Sequence, residues 1–238
     1  MSEPETQSDQ PIGLADLEDP AALIFDLDGT LVDTVERRIA AWLRTFEELS
    51  IPADRRHVAQ LIGADGKRLA REVAAVAGRQ IDDDRAEAID RRAGELYTEL
   101  NIDPRPLPGV QLLLHALALS DLPWAIATSS RAEQVMASVD ALGLAQTPMI
   151  VDGSHVANAK PAPDLLLLAA EQLGTSARRC WYVGDATWDM LAARACGMPA
   201  VGIPSGAVSS EALAGAGAAA VTSFELLAAD LARRGLTP

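Results

Sequence analysis

Hydrophobic and polar positions change rhythm three times along the chain. Residues 1–19 carry Glu3, Glu5, Asp9, Asp16, Glu18 and Asp19 with no sustained apolar run, which predicts a disordered leader. The run Ala22-Leu-Ile-Phe25 is apolar and of strand length, and it ends abruptly in Asp26, Leu27, Asp28 and Gly29. From Val35 the apolar residues Ile39, Trp42, Leu43, Phe46 and Leu49 recur at helical spacing. Helical patterning continues over 55–62, 67–77 and 82–100 without a strand, until Pro104, Pro106 and Pro108 interrupt it. After Gly109 the rhythm alternates. Helices are predicted over 110–119, 132–142, 164–173 and 186–195, and strands over 124–127, 149–151, 180–183 and 200–203. The tail reads as a loop over 213–219, a last short strand, and a surface helix over 223–231.

Alternating strands and helices imply an α/β fold, a Rossmann-like parallel sheet flanked by helices. The helical stretch between Thr34 and the prolines is too long for a connection and reads as a small all-α second domain inserted after the first strand. The expected division is 20–33 and 105–238 for the α/β core and 34–104 for the insertion. In open α/β sheets ligands bind beyond the carboxyl ends of the strands. The polar residues at those ends are therefore the candidates for chemistry.

Side chains alternate along a strand, so Asp26 and Asp28 point to one side, where two ionised carboxylates repel unless a cation bridges them. Oxygen ligands of this kind suit a hard ion such as Mg²⁺. Taken alone, an Asp-x-Asp is more often an acidic turn; the apolar strand before it and Gly29-Thr30 after it favour a site. The second strand ends at Thr128-Ser129-Ser130, where the Thr128 hydroxyl and the Ser129 backbone N–H can hold phosphate oxygens at a helix start. The plain alternative is that Ser129 or Ser130 caps the following helix. Lys160 lies in Lys-Pro-Ala-Pro-Asp, where Pro161 and Pro163 stiffen the segment that carries it; an isolated lysine would be a solvated surface charge. Asp185 and Asp189, in Gly184-Asp-Ala-Thr-Trp-Asp189, share one face of an opening helix turn. Either acid alone would be explained by the helix dipole.

Composition narrows the partners. With 238 residues, of which 49% are hydrophobic and 23% charged, the chain can bury a substantial core. Net charge is −14, the pI is near 4.5 and the first basic residue is Arg37, which argues against nucleic acid and anionic membranes. A small anionic substrate remains compatible, because a bound cation and a buried lysine set the field locally. Cys180 and Cys196 lack framework spacing and read as reduced thiols. The N-terminal stretch has no basic or apolar signal regions, and no apolar run reaches the ~20 residues of a membrane span. A cytoplasmic enzyme is expected.

These four motifs, in this order at successive strand ends, resemble the signature of the haloacid dehalogenase-like hydrolase superfamily. The helical insertion and the Lys-Pro-x-Pro-Asp wording are similar to its phosphoglycolate phosphatase and β-phosphoglucomutase-like subgroup, in which the insertion is a helical cap. The resemblance implies Asp26 as nucleophile and Asp28 as acid/base. It implies phosphate binding by Thr128, Ser129 and Lys160, and Mg²⁺ held at Asp26, Asp28, Asp185 and Asp189, with Asp28 contributing its backbone carbonyl. The expected activity is Mg²⁺-dependent hydrolysis of a small phosphorylated metabolite through an aspartyl-phosphate, by a monomer or homodimer. In the cap, Gly63, Lys67 and Arg68 are candidates for substrate choice, with a solvated helix start as the plain alternative. Arg131 is a weaker one. His57, His115, His155 and Trp188 read as surface or packing residues.

Competing activities weigh differently. The dehalogenase branch lacks an acid at the position of Asp28. A phosphonate hydrolase needs a cap lysine, and Lys67 is the only lysine between Asp28 and Lys160. A sugar phosphomutase shares all four motifs, but its subgroup places a histidine where this chain reads Val35-Glu-Arg-Arg38. A silent phosphometabolite-binding protein would not need both Asp26 and Asp28.

Overall fold

The computed structural model describes residues 13–238. Six parallel strands form one sheet in the order β3-β2-β1-β4-β5-β6: β1 (Ala22–Phe25), β2 (Trp124–Ala127), β3 (Met149–Val151), β4 (Cys180–Gly184), β5 (Ala200–Gly202) and β6 (Ala220–Val221). β1 lies in the middle, with Phe25 level with Ile126 on one side and Val183 on the other. The chain builds outward from β1 through β2 and β3, then crosses to β4, so the order reverses beside β1. That reversal opens the crevice in which such sheets bind ligands.

Both faces of the sheet are covered, which is why its strands are continuous apolar runs. Leu23 and Phe25 point into one layer with α5 (Val110–Ala118), α6 (Ala132–Ala141) and α10 (Phe224–Arg233). Ala22 and Ile24 point into the other, with α7 (Asp164–Gln172), α8 (Thr187–Cys196) and α9 (Ser210–Gly215). Among the described residues, no helix is long and apolar enough to cross a membrane.

Between β1 and β2 the chain forms α1 (Val35–Glu48), α2 (Arg55–Leu61), α3 (Gly66–Val76) and α4 (Asp83–Leu100). Asp54, Asp65 and Asp82 each accept a backbone N–H three residues on, fixing the starts of α2, α3 and α4. The four helices close on their own apolar cluster, with Trp42 stacked on Phe46 and packed with Leu61, Leu69, Val73 and Ile89. The chain leaves and re-enters the sheet side by side: Asp33 N–H donates to Arg105 O at 2.9 Å and Leu107 N–H to Leu31 O at 3.1 Å.

Two expectations change. The leader prediction for 1–12 lies outside the described residues, but 13–19 is ordered, with a 3-10 turn at Leu14–Asp16 and a buried Leu17. Arg234 donates to Leu14 O and Leu17 O, and Trp181 Nε1 to Glu18 O, so tertiary partners hold a segment whose composition reads as disordered. The tail expected as a loop contains α9, anchored by buried Leu213 and capped by Ser209, and α10 buries Phe224, Leu227 and Leu231 instead of lying free on the surface.

Candidate active site

Asp26 follows β1 directly, Thr128 follows β2 and Asp185 follows β4, so the sheet register brings three strand ends to one place. Asp189, on the first turn of α8, faces back toward them, held by the Ala186 N–H at 2.9 Å. Asp26, Asp185 and Asp189 are buried, with one carboxylate oxygen of each within 4.8 Å of the others. Lys160 enters on the loop between β3 and α7. Its ammonium is fully buried, 2.5 Å from Asp26 Oδ1 and 2.7 Å from Asp189 Oδ1.

The charges do not balance. Three carboxylates against one ammonium leave two buried negative charges, which a divalent cation would cancel. Burial pushes the Asp26 carboxyl up to about 7, with Lys160 opposing and Asp189 adding to the rise. Burial and then the charges of Asp189 and Asp26 raise Asp185 well above the carboxylate range, although Thr30 donates to it at 2.6 Å. Lys160 loses to burial but gains more from Asp189 and Asp26, so its proton is held more tightly than usual. The donor set is all oxygen and hard, and it fits a divalent cation such as Mg²⁺.

Glycines make this approach possible. Gly29 has φ +85°, and a Cβ on it would lie 2.5 Å from Asp185 Oδ2. On Gly206 a Cβ would lie 1.8 Å from the same oxygen.

Asp28 stands apart from the acid cluster. The Asp26 and Asp28 side chains each have their own cationic partner, Lys160 and Arg38. Arg38 Nη2 lies 2.6 Å from Asp28 Oδ2, and Ser130 Oγ donates to the same oxygen at 2.6 Å. Thr34 Oγ1 and the Tyr97 hydroxyl donate to Oδ1 at 2.8 and 2.7 Å. Burial alone would raise the Asp28 carboxyl, but Arg38 and the hydrogen bonds from Ser130 and Tyr97 outweigh it and hold it below the ordinary value.

Asp26, Asp28, Thr128, Ser129 and Lys160 all line one cleft beneath α1–α4. Trp42, Leu61, Ile62, Gly63, Ala64 and Leu69 form its opposite wall. Its free space is about 60 Å³. Four polar ties fasten this wall to the sheet side: Trp188 Nε1 to Gln60 O at 2.8 Å, Ser129 Oγ to Gly63 O at 3.3 Å, Asp65 N–H to Lys160 O at 2.8 Å, and Arg131 to Glu87 and Asp90 at 2.6 and 2.8 Å.

Of the insertion residues singled out from the sequence, Gly63 lines the cleft and Lys67 and Arg68 do not. Lys67 pairs with Glu87 at 3.9 Å, and Arg68 with Glu72 at 2.6 Å while lying over the Trp188 ring. Ser130 does not cap α6, whose N-cap is Arg131; its hydroxyl is spent on Asp28. Sequence reading missed Arg38, Tyr97, Asp90 and Gln134. Arg38 sits beside the helical apolar stripe, and its partners Asp28, ten residues back just past the end of β1, and Gln134, 96 residues on, leave no local signal.

The family model described as haloacid dehalogenase-like hydrolase matches residues 23–203. The chain is 33% identical over 186 residues to "Probable phosphatase IndB" of Dickeya dadantii, covering 76% of this chain and 80% of that protein. It is 34% identical over 209 residues to "Phosphoglycolate phosphatase" of Rhodospirillum rubrum, covering 85% and 86%. Among solved structures, a hydrolase from Pseudomonas syringae superposes with a TM-score of 0.82 at 36% identity, covering 89% of this chain and 96% of that one.

Proposed function

The chain belongs to the haloacid dehalogenase-like hydrolase family, and from that premise we propose that it is a Mg²⁺-dependent phosphatase that hydrolyses a small phosphorylated metabolite through a phosphoryl group carried on Asp26. The observation that carries this reading is the buried set Asp26, Lys160, Asp185 and Asp189, two negative charges in excess, of which Asp26 and Lys160 line the cleft.

Asp26, Asp185 and Asp189, with the Asp28 backbone carbonyl, would hold the metal. When bound, Mg²⁺ supplies charge neutralisation, without which an anionic nucleophile and a phosphate dianion repel. Lys160 contributes the same from this chain's own side: its ammonium fixes Asp26 Oδ1 and offers a second cation to phosphate oxygens. Thr128 and Ser129, at the end of β2, bind the transferred group. Asp26 then forms a bond to phosphorus and the ester oxygen leaves. Asp28 handles the proton at that oxygen and afterwards activates the water that releases phosphate. Trp42, Leu61, Ile62 and Leu69 exclude bulk water from the cleft.

We read residues 34–104 as a cap over a core formed by 20–33 and 105–238. Support comes from the separate apolar cluster of α1–α4 and from the paired entry and exit segments at Asp33 and Arg105. A sugar phosphomutase would use the same four motifs; the absence of a histidine in 35–38 and the presence there of Arg38 favour water as the acceptor.

The test is phosphate release from a panel of small phosphomonoesters with Mg²⁺, with and without chelator, beside Asp26→Asn. Chelator-sensitive release that the variant lacks is expected. Full activity in purified Asp26→Asn would overturn the assignment.

A further inference from the structure

We propose that Tyr97 is a positioning residue of the reaction: its hydroxyl aims the Asp28 carboxyl at the leaving oxygen, and Ser138 and Asn101 direct the phenol proton that does so. The inference rests on the phosphatase reading and deepens it at the group that handles the leaving-group proton.

Tyr97 lies on α4, 69 residues after Asp28, and its hydroxyl donates to Oδ1 of that carboxylate at 2.7 Å. The ring is buried beneath the Arg38 guanidinium, 3.4 Å from its centre, and packs with Ala41 and Leu96. Phenylalanine would serve that packing equally well. A buried phenol adds a polar group that costs stability unless it is partnered. Beyond Asp28, its partners run away from the cleft: Tyr97 Oη is 3.5 Å from Ser138 Oγ on α6, and Asn101 Nδ2 donates to the same Oγ at 3.1 Å. Ser138 and Asn101 are buried too, and neither lines the cleft.

The direction of this chain follows from its end at Asp28. An ionised carboxylate only accepts, so the single phenol proton goes to Oδ1. Tyr97 Oη can then only accept, which turns the Ser138 proton toward it, and Ser138 Oγ in turn accepts from the Asn101 amide nitrogen. Three buried polar side chains thus point one proton at one carboxylate oxygen. The cost shows at Asn101 Oδ1, which is buried without a hydrogen-bond partner among the described residues. A chain that leaves an acceptor unpaired is poorly suited to stability, and what it fixes is orientation.

Asp28 depends on such a hold. Its carboxyl lines the cleft and is gripped at both oxygens, Oδ2 by Ser130 and Arg38, Oδ1 by Thr34 and Tyr97. Thr34 is six residues from Asp28 and shares its segment, whereas Tyr97 arrives from the far end of the insertion and meets α6 through Ser138. Tyr97 is therefore the donor that sets Oδ1 relative to both the sheet side and α1–α4. Proton transfer requires hydrogen-bond reach, and a misplacement of about 1 Å can cost about 10²-fold.

The experiment compares kcat/KM for two phosphomonoesters, using the full chain with Mg²⁺. One is the alkyl ester that wild type hydrolyses best; the other is p-nitrophenyl phosphate, whose nitrophenolate departs without needing a proton. kcat/KM covers only the steps up to departure of the alcohol, so the later hydrolysis at Asp26 does not enter it. Tyr97→Phe keeps the ring and deletes only the hydroxyl. It should lower kcat/KM for the alkyl ester about tenfold or more and for the aryl ester by less than about threefold. A purely structural role would weaken both esters alike and cancel in their ratio. Ser138→Ala, which touches neither Asp28 nor the cleft, should move the ratio the same way. A wild-type ratio in folded Tyr97→Phe, or in Ser138→Ala if Tyr97→Phe does not fold, would overturn the inference while leaving the phosphatase intact. Release by wild type from neither p-nitrophenyl phosphate nor any alkyl ester would instead overturn the phosphatase reading, and this inference with it.

Discussion

The ammonium of Lys160 lies 2.5 Å from Oδ1 of Asp26, and neither side chain is open to solvent beyond 6%. In the proposed mechanism the lysine is both a catalytic cation and a structural counter-charge, and the two roles respond differently to substitution. In Lys160→Met, the acid cluster loses the one cation paired with it among the described residues. Breaking a buried pair on one side costs about 3–5 kcal/mol, which for a chain of this size lowers Tm by roughly 6–20 °C. Turnover should fall by about 10² or more. Saturating Mg²⁺ should recover part of the Tm and none of the turnover. Wild-type turnover in this variant would remove Lys160 from the mechanism.

Stability without metal should depend on pH in a direction opposite to that of ordinary carboxylates. Asp26 is pushed from 3.8 to about 7 in the folded chain, and Asp185 is raised as well. An acid whose folded pKa exceeds its unfolded one binds more protons when folded, so stability falls as pH rises between the two values. For Asp26 that window runs from 3.8 to about 7. The lowered pKa of Asp28 acts below that window, where stability is lost as pH falls. Chelated protein should therefore melt lower at pH ~7.5 than at pH ~5. Mg²⁺ at a hundredfold excess over its Kd should add about 2.7 kcal/mol and flatten the slope. Melting curves with and without chelator check this; equal slopes in both would remove the metal from the cluster.

Asp185→Asn separates charge relief from metal binding. It removes a carboxyl that without metal must stay charged beside two other acids or take up a proton, so the chelated protein should melt higher than wild type, while its Mg²⁺-induced rise in Tm shrinks and turnover falls. Melting and phosphate-release assays on the same preparation decide it: a variant that melts lower than wild type without metal contradicts the charge excess.

How much of this was legible beforehand depends on whether the cause was local. The run before Asp26 reads as a buried strand because it is apolar throughout, Thr128 and Asp185 are visible because each follows such a run, and Lys160 because two prolines frame it. The helices of 35–100 were readable from their period. α9 was not: Ser210–Gly215 is short and rich in alanine and glycine, and only burial of Leu213 makes it a helix. Residues 13–19 looked disordered because their acids mask Leu14 and Leu17, whose partners on α10 lie over two hundred residues away, as the Arg234 to Leu17 bond does with a separation of 217. Arg38 belongs to the same class. Its burial is decided by Asp28, Tyr97 and Gln134, none of which a helical pattern around position 38 can reveal.

Gly29 and Gly78 offer a controlled comparison. Both have positive φ, +85° and +72°, so alanine at either is strained by about 1–2 kcal/mol. Around Gly78 nothing lies within 4 Å of the added Cβ, whereas at Gly29 it meets Asp185 Oδ2 and Val35 Cγ2 at 2.5 Å. Gly78→Ala should lower Tm by a few degrees with kcat unchanged. Gly29→Ala should lose the Mg²⁺ response as well, because Asp185 must move. Equal catalytic effects from the two would mean that the close approach at Gly29 does not position the metal site.

Lys67 and Arg68 on α3 and Arg131 after β2 should separate by where their charge is used. Lys67 and Arg68 stand outside the cleft and engage Glu87 and Glu72 at the surface, and exposed pairs of this kind are worth about 0–1 kcal/mol. Lys67→Ala and Arg68→Ala should leave kcat/KM within about twofold of wild type across the ester panel. Arg131 lines the cleft and neutralises Asp90 and Glu87. Removing it leaves two acids facing an incoming phosphate dianion and unfastens α4 from the end of β2. Arg131→Ala should therefore raise KM for every ester, more at low ionic strength, where screening is weakest, and change kcat less. A KM that rises in Lys67→Ala or Arg68→Ala but not in Arg131→Ala would reverse this assignment and bring the α3 cations back to the substrate.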